Sequence, residues 1–165
     1  MEWREVVEHP SLQDLPFKIE TNQWGEIVMT PATLGHSKYQ RRIIKWFDGF
    51  QQGDVLSECP IQTSEGVKVA DVAWGSFAFF KQNQGDMPCL PESPEIVIEV
   101  KSSSNTDNEM ERKKGLYFQA GAKEVWSCDK QGTMRFFNPQ GELERSGLFR
   151  EFPGHIAIDI NVDVM

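Results

Sequence analysis

The chain has 165 residues, enough for one domain with a hydrophobic core and too few for two ordinary domains. Its formal net charge of -8 at pH 7 argues against tight nonspecific binding of nucleic acid through overall charge. No apolar run of about 18 residues could span a membrane, and the charged N-terminal segment lacks the apolar core of a signal peptide. We therefore expect a single cytoplasmic domain over residues 1–165 that does not contact a membrane.

The first half of the chain predicts two hairpins separated by a helix. "PFKIETNQWGEIVMTPA" predicts two short strands joined by a turn at residues 22–25. Apolar residues spaced by three and four then predict an amphipathic helix over residues 36–51. "DVLSECPIQT" and "VKVADVAWGS" predict two further strands around a turn at residues 64–66.

The second half predicts a buried strand, a helix and an antiparallel meander. A loop, "FKQNQGDMPCLPESP", leads into the apolar strand "EIVIEV". Caps at Ser104, Thr106 or Asp107 predict a helix through "NEMERKKGLYFQA" that stops at Gly121, followed by the strand "KEVWSCD". Gly-centred turns then separate the predicted strands "TMRFF", "LFREF" and "IAIDINV". This order indicates an α/β fold in which helices flank a mixed sheet.

The three cysteines, Cys59, Cys89 and Cys128, lie far apart and form no CxxC pair. Such an odd, scattered set argues against a disulfide framework and against a thiolate zinc site.

Asp71 interrupts an otherwise apolar strand face. Alternate residues of a strand share a face, so its side chain points the same way as those of Val67, Val69 and Ala73. A buried carboxylate without a partner is strongly destabilising. We therefore expect Asp71 to pair with a cation, to bind a metal ion, or to lie at a strand end that reaches water.

A second charged pair follows in "EIVIEVKSSS", where Glu99 and Lys101 occupy alternate positions of one strand face. One interpretation is a solvated ion pair worth under about 1 kcal/mol. The other is a metal site, because Mg²⁺ takes one or two carboxylates and keeps several waters. Lys101 would then orient a metal-bound water or stabilise charge on a phosphate. The triplet alone leaves both interpretations open.

Taken together, Asp71 and the triplet from Glu99 to Lys101 resemble the D…(D/E)-x-K motif of the PD-(D/E)XK nuclease superfamily. The frame "IETNQWGEIVMTPA", "HS", "ADVAW", "PEIVIEVKSSSNT" and "ERKKGLYFQAGAKEVW" is similar to the Uma-two family of restriction-endonuclease-like proteins. This resemblance covers about Phe17 to Asp129. Ala70 stands where the motif name has Pro, a position that supplies no ligand, and the presence of the lysine favours an intact site.

The resemblance implies a restriction-endonuclease-like mixed central sheet and metal-dependent hydrolysis of phosphodiester bonds, with DNA as the expected substrate. Asp71, Glu99 and the backbone carbonyl of Val100 would hold Mg²⁺, with Mn²⁺ as the alternative ion, and Lys101 would hold or activate the attacking water. Glu20 resembles an extra acidic metal-site group of the superfamily, and a surface residue beside a turn is the equal alternative. A homodimer is expected from the family and from the many aromatic residues.

The helix after the triplet places Lys113 and Tyr117 one turn apart on a common face. The pair resembles the Q-x-x-x-Y element of related nucleases, with Lys replacing Gln, and implies a phosphate contact. A solvated lysine above a core tyrosine is the alternative. His36 matches the H-S pair of the family at the start of a helix, where capping or packing is its expected role and a position near the site is the alternative.

Two geometric expectations follow from these assignments. Asp71, Glu99 and Lys101 should converge in one concave site, with Asp71 within about 10 Å of Glu99 on a neighbouring strand. Since the chain is acidic, its basic residues should also concentrate around that opening if it binds a polyanion. The residues available for this are Arg41, Arg42, Lys45, Lys113 and Lys114.

A function of another class remains open. The chain could be a catalytically inactive module of the nuclease fold that binds nucleic acid or protein. Asp71, Glu99 and Lys101 would then form a buried ion network, an arrangement that the acidic composition also allows.

Overall fold

A computed structural model describes residues 1–159 of the chain. Four α-helices are present in this part: α1 (Trp3–Glu8), α2 (Leu34–Trp46), α3 (Phe77–Gln82) and α4 (Asp107–Gln119). The strands are β1 (Phe17–Thr21), β2 (Ile27–Pro31), β3 (Gly53–Thr63), β4 (Gly66–Ser76), β5 (Ile96–Val100), β6 (Glu124–Cys128), β7 (Met134–Asn138) and β8 (Gly141–Leu143). None of these helices has the length and apolar character needed to cross a membrane.

The strands form two sheets. β1 and β2 make a separate antiparallel hairpin, while the other six strands are hydrogen-bonded in chain order from β3 to β8. All neighbours in the large sheet are antiparallel except β5 and β6, which are parallel and are connected by α4. This arrangement confirms the predicted mixed sheet with flanking helices and an antiparallel meander at its C-terminal side.

The central strand β5 divides the core into two halves. Ile96, Ile98 and Val100 point to a cluster under α2, and Val97 points to a cluster that includes Tyr117 of α4. Every residue of β5 is buried, as an apolar run covered on both sheet faces should be. Glu99 shares the face of Val97 and therefore lies on the α4 side of the sheet.

Local sequence explains where α2 and α4 begin. The Thr33 hydroxyl accepts a hydrogen bond from the His36 backbone amide at the start of α2. Thr106 and Glu109 form a reciprocal capping box at the start of α4. These caps fix the first turns of the two helices that cover the central strands.

The structure corrects several predicted elements. The helix expected over residues 36–51 ends at Trp46 and continues as a 3-10 turn at Phe47–Gly49. α1 and α3 were not expected. "LFREF" is not a strand, because Phe149 and Phe152 both turn inward to pack on the aromatic core. The described part of "IAIDINV" contains no strand, and residues 160–162 of that segment lie outside the described range.

Candidate active site

Asp71 and Glu99 face each other across the two central strands. β4 and β5 are antiparallel, with Val72 opposite Ile98, so extending the register by one residue sets Asp71 opposite Glu99. The two residues are 1% and 5% exposed. Their expected proximity is confirmed, because both carboxylates contact one nitrogen atom, the Nζ of Lys18.

Lys18 on β1 forms the bridge between these two carboxylates. Its Nζ lies 3.0 Å from Asp71 Oδ1 and 3.2 Å from Glu99 Oε2, and its side chain is 12% exposed. Burial alone would lower the pKa of Lys18, but the charges of Glu99 and Asp71 outweigh it and raise that pKa well above its ordinary value. The ammonium group therefore stays charged between the two carboxylates.

Two further groups hold the Asp71 carboxylate in place. The Val100 backbone amide donates to Oδ2 over 2.8 Å, and His36 Nε2 lies 3.1 Å from Oδ1. Burial would raise the pKa of Asp71, but Lys18, His36 and the Val100 amide together bring it well below its usual range. The hydrogen bond with Asp71 in turn raises the pKa of His36 against the effect of burial. Within the described residues, His36 Nδ1 is buried without a hydrogen-bond partner.

The regular pairing between β3 and β4 is interrupted at Asp71. Glu58, opposite Asp71 on β3, has a φ of 50° and interrupts the ladder there. The Gln40 amide donates to both the Asp71 carbonyl and Glu58 Oε1, each over 2.7 Å. A left-handed backbone at a residue other than glycine costs about 1–3 kcal/mol, and such strain clusters at functional sites.

Both oxygens of Glu99 are engaged. Tyr117 donates its hydroxyl proton to Oε1 over 2.6 Å, and Lys113 Nζ lies 3.7 Å from the same oxygen. Burial raises the pKa of Glu99 to about 7, with Lys113 and Lys18 opposing the shift and the charges of Asp71 and Glu20 adding to it. The carboxylate is thus costly to ionise in this position and depends on its cationic neighbours.

Glu20 is buried, so the alternative of a surface residue beside a turn is wrong. Its Oε2 accepts hydrogen bonds of 2.8 Å from the Val69 backbone amide and from Lys113 Nζ. Burial would raise the pKa of Glu20, but Lys113 and Lys18 lower it. Because Lys113 sits between Glu20 and Glu99, Glu20 positions this lysine beside the site.

Lys101 is not brought into the same opening. Its side chain is 31% exposed, and its ammonium forms an ion pair with Asp107 at the start of α4. Asp71, Glu99, Val100, Lys18 and Lys113 line one pocket of about 390 Å³. Lys101 lines a neighbouring pocket with Glu99 and Asp107, so Glu99 borders both pockets and Lys101 is separated from Asp71. The expected convergence of all three motif residues therefore holds for Asp71 and Glu99 and fails for Lys101, which follows the last residue of β5.

The other basic residues are dispersed, contrary to expectation. Gln40 faces the site, and Arg41 and Arg42 follow it at about 100° and 200° around the helix. Arg41 and Arg42 line a separate pocket with residues 158 and 159, and Lys45 lines another with Trp46. Of the basic residues expected there, Lys113 alone lines the Asp71 pocket.

The donor set of this pocket fits a divalent cation chemically. No group of three or more His, Cys, Asp or Glu side chains within residues 1–159 is arranged as a metal site. Mg²⁺, however, takes only one or two carboxylates and completes its shell with water. Asp71 and Glu99 supply hard oxygens that already share one cationic contact, and Val100 lines the same pocket.

Sequence reasoning missed Lys18, Gln40 and Glu58 as members of the site. The sequence does contain a signal for Lys18: it and Glu20 are alternate residues of β1 and therefore share one strand face, from which both side chains reach the site. Gln40 lies one helical turn after His36, on the same face of α2. No feature of the sequence pattern predicts the positive φ of Glu58.

Comparison with known proteins finds both a family model and solved structures that match the chain. A family model described as "Uma2: Putative restriction endonuclease" matches residues 7–155. A crystal structure of "a putative nuclease belonging to DUF820" from Anabaena variabilis ATCC 29413 is similar with a TM-score of 0.70 and 15% identity. That match covers 96% of this chain and 95% of the other, and at this identity it shows a shared fold alone. No curated protein matches the chain.

Proposed function

The chain belongs to the Uma2 family, described as "Putative restriction endonuclease", and from this membership we propose that it is a metal-dependent endonuclease that hydrolyses phosphodiester bonds of DNA. The observation that carries the proposal is the placement of Asp71 opposite Glu99 in a pocket with Lys18 and Lys113. Paired carboxylates with cations nearby are suited to gathering a metal ion and a phosphate at one point.

We propose that Asp71, Glu99 and the Val100 carbonyl hold the ion, with Mg²⁺ preferred and Mn²⁺ as the alternative. When bound, such an ion neutralises charge on the scissile phosphate and lowers the pKa of water. Tyr117 and the Val100 amide keep the two carboxylates oriented, so the donors are held before a substrate arrives.

In the reaction, a water oxygen attacks phosphorus, and the bond from phosphorus to one sugar oxygen breaks. The attacking water loses a proton, and the departing sugar oxygen gains one. The motif assigns to Lys101 the role of holding or activating this water. We propose Lys113 for this role instead, because its Nζ lies 3.7 Å from Glu99 and its side chain lines the Asp71 pocket.

A second candidate function is a noncatalytic binding module, and one specific observation favours it. All four carboxylate oxygens of Asp71 and Glu99 already have protein partners. Each carboxylate oxygen in such a network already contacts a hydrogen-bond donor or a cation, so the network needs no added ion. In this case the residues stabilise the fold, and the partner binds elsewhere.

Asp71→Asn tests the proposed function. We expect the wild type to cleave double-stranded, single-stranded or branched DNA with Mg²⁺ or Mn²⁺, and the variant to lose cleavage. Added Mn²⁺ should raise the melting temperature of the wild type and leave that of Asp71→Asn unchanged. A folded wild type that shows neither cleavage nor a metal-dependent melting shift would support the binding module. The expected homodimer stays a prediction that the solution mass would check.

A further inference from the structure

Lys18 occupies the point between the two opposed carboxylates. Its Nζ is nearly equidistant from Asp71 Oδ1 and Glu99 Oε2, at 3.0 and 3.2 Å. Among the described residues, no other lysine or arginine forms ion pairs with both of these carboxylates, since Lys113 contacts Glu99 and Glu20 but not Asp71. The site therefore holds an internal cation at the place where a shared external cation would bind.

We infer that Lys18 is an internal competitor for the divalent ion: the ion enters when the Lys18 ammonium leaves Asp71 and Glu99, and this side chain thereby sets the metal affinity of the site. The inference rests on the metal site of the proposed function. It concerns a residue outside the motif, 53 positions before Asp71, and makes Lys18 a determinant of which cation the site holds.

Both cations need the same oxygens. Mg²⁺ binds oxygen directly, at about 2.0–2.1 Å, so an ion held by the carboxylates of Asp71 and Glu99 would need the oxygens that the Lys18 ammonium now contacts. Two like charges a few ångströms apart repel each other strongly in a buried site, and a divalent ion is repelled more strongly than a monovalent one. Lys18 in its present position therefore competes with an ion that Asp71 and Glu99 would hold.

The surroundings give the Lys18 side chain room to move. β1 belongs to the separate hairpin, so its backbone is not part of the six-stranded ladder. Lys18 itself lines the pocket of about 390 Å³ that opens beside the two carboxylates. A lysine side chain has a flexible four-carbon stem, so rotation of its torsions can withdraw the ammonium into this space without moving the strand.

The test compares Mn²⁺ affinity in the wild type and Lys18→Met, measured by calorimetry and by electron paramagnetic resonance of free Mn²⁺. We expect Lys18→Met to bind Mn²⁺ about tenfold more tightly or better, because a competitor and a repelling charge are both removed. Lys68→Met is the matched control. The Lys68 ammonium donates a hydrogen bond to the carbonyl of Thr21, the last residue of β1, and forms no ion pair with Asp71 or Glu99. The double variant Lys18→Met/Asp71→Asn should lose the gain in affinity.

A second measurement uses the wild type and does not depend on the folding of the Lys18 variant. Labelling of lysines with an amine reagent, read by mass spectrometry, should show Lys18 protected without metal and more reactive with saturating Mn²⁺. Exposed Lys123 provides the reference rate.

The outcomes separate this inference from the proposed function. Tighter binding by Lys18→Met, lost in the double variant, supports the inference even if the wild type binds Mn²⁺ too weakly to measure. Equal affinities in the wild type and Lys18→Met, with Lys18 still protected in the bound state, overturn the inference and leave the nuclease proposal intact. Absence of Asp71-dependent Mn²⁺ binding in both proteins overturns the metal site and the inference together.

Discussion

The Tyr117 hydroxyl donates a hydrogen bond of 2.6 Å to Glu99 Oε1, and both residues are buried. They come from α4 and β5, 18 positions apart. Since Lys18 contacts the other oxygen of the same carboxylate, both carboxylate oxygens of Glu99 are held in place before any ligand binds. The orientation of this carboxylate therefore depends on the packing of α4 against the sheet.

Tyr117→Phe should destabilise the protein more than an ordinary loss of a tyrosine hydroxyl. A hydrogen bond to a charged group contributes about 1.5–3 kcal/mol, against about 0.5–1.5 kcal/mol for one between neutral groups. Urea unfolding at about pH 8 measures the loss. Tyr39→Phe is the control, because the hydroxyl of this buried residue donates to the Lys130 carbonyl, a neutral acceptor. An equal loss in the two variants would show that Glu99 does not use this bond when ionised.

Glu99 should give the fold a pH dependence opposite to that of most carboxylates. Burial raises its pKa from 4.5 to about 7. Because the folded state holds the proton more tightly than the unfolded state, this stabilisation is fully present below about pH 4.5 and is lost as the pH rises through about 7. Relative to Glu99→Gln, the wild type should therefore lose free energy of unfolding between about pH 5 and pH 8.

Urea titrations of both proteins across that range would check the difference, with Glu111→Gln, a change at an exposed carboxylate, as the control. A wild type that gains stability relative to Glu99→Gln over the same range would show that Lys113 and Lys18 outweigh burial at this carboxylate.

Lys113→Met should reduce DNA cleavage strongly, whereas Lys101→Met should leave most of the rate. Loss of one well-placed charge-stabilising group typically costs about 3–4 kcal/mol, or about a hundred- to a thousandfold in rate. Lys113 lines the Asp71 pocket, while Lys101 is paired with Asp107 in the neighbouring one. Single-turnover cleavage by the two variants decides between them. If Lys101→Met is the inactive one, the role that the motif assigned to Lys101 is restored.

Much of the sheet and the placement of two of the three motif residues could be predicted because they depend on local patterns. The apolar run of β5 and the cap at Thr106 are read directly from neighbouring residues. The pairing of Asp71 with Glu99 follows once their strands are taken as adjacent. These features need only strand alternation and helix capping, which the sequence expresses residue by residue.

The remaining parts of the site depend on tertiary docking. Lys18 reaches Asp71 only because the hairpin lies against the edge of β4, where Val67 and Val69 donate to Thr21 and Glu20. Strand alternation put Lys101 on the face of Glu99, but alternation applies only inside a strand, and β5 ends at Val100. Long-range contacts of this kind have no local signature in one sequence.

Arg41 and Arg42 provide a separate test of the nucleic-acid contact predicted from sequence. They lie on the side of α2 away from the Gln40 contact with Asp71. The double change Arg41→Gln/Arg42→Gln should therefore leave the cleavage rate of a short duplex unchanged at saturating DNA. If the two residues do bind phosphates, the slope of log affinity against log salt should fall by about 0.9 for each phosphate that the variant no longer neutralises. Fluorescence anisotropy over a salt series measures that slope.

Gly66→Ala should disturb the site from a distance, because Gly66, the first residue of β4, packs against the backbone at the end of β1. Its φ is +89°, and an added Cβ would lie 2.6 Å from the Thr21 and Asn22 carbonyl oxygens. A left-handed residue other than glycine costs about 1 kcal/mol or more, and the clash must also push Thr21 away. Gly85→Ala is the matched control, since it has a similar φ of +94° with no atom within 4 Å of the added Cβ. Both variants should lose the free energy of unfolding that a left-handed alanine costs, but only Gly66→Ala should move β1 and weaken the Lys18 contacts.

Faster amine labelling of Lys18 in Gly66→Ala, with protection retained in Gly85→Ala, is the expected result. Equal protection in both would mean that the hairpin holds Lys18 without the close approach at Gly66.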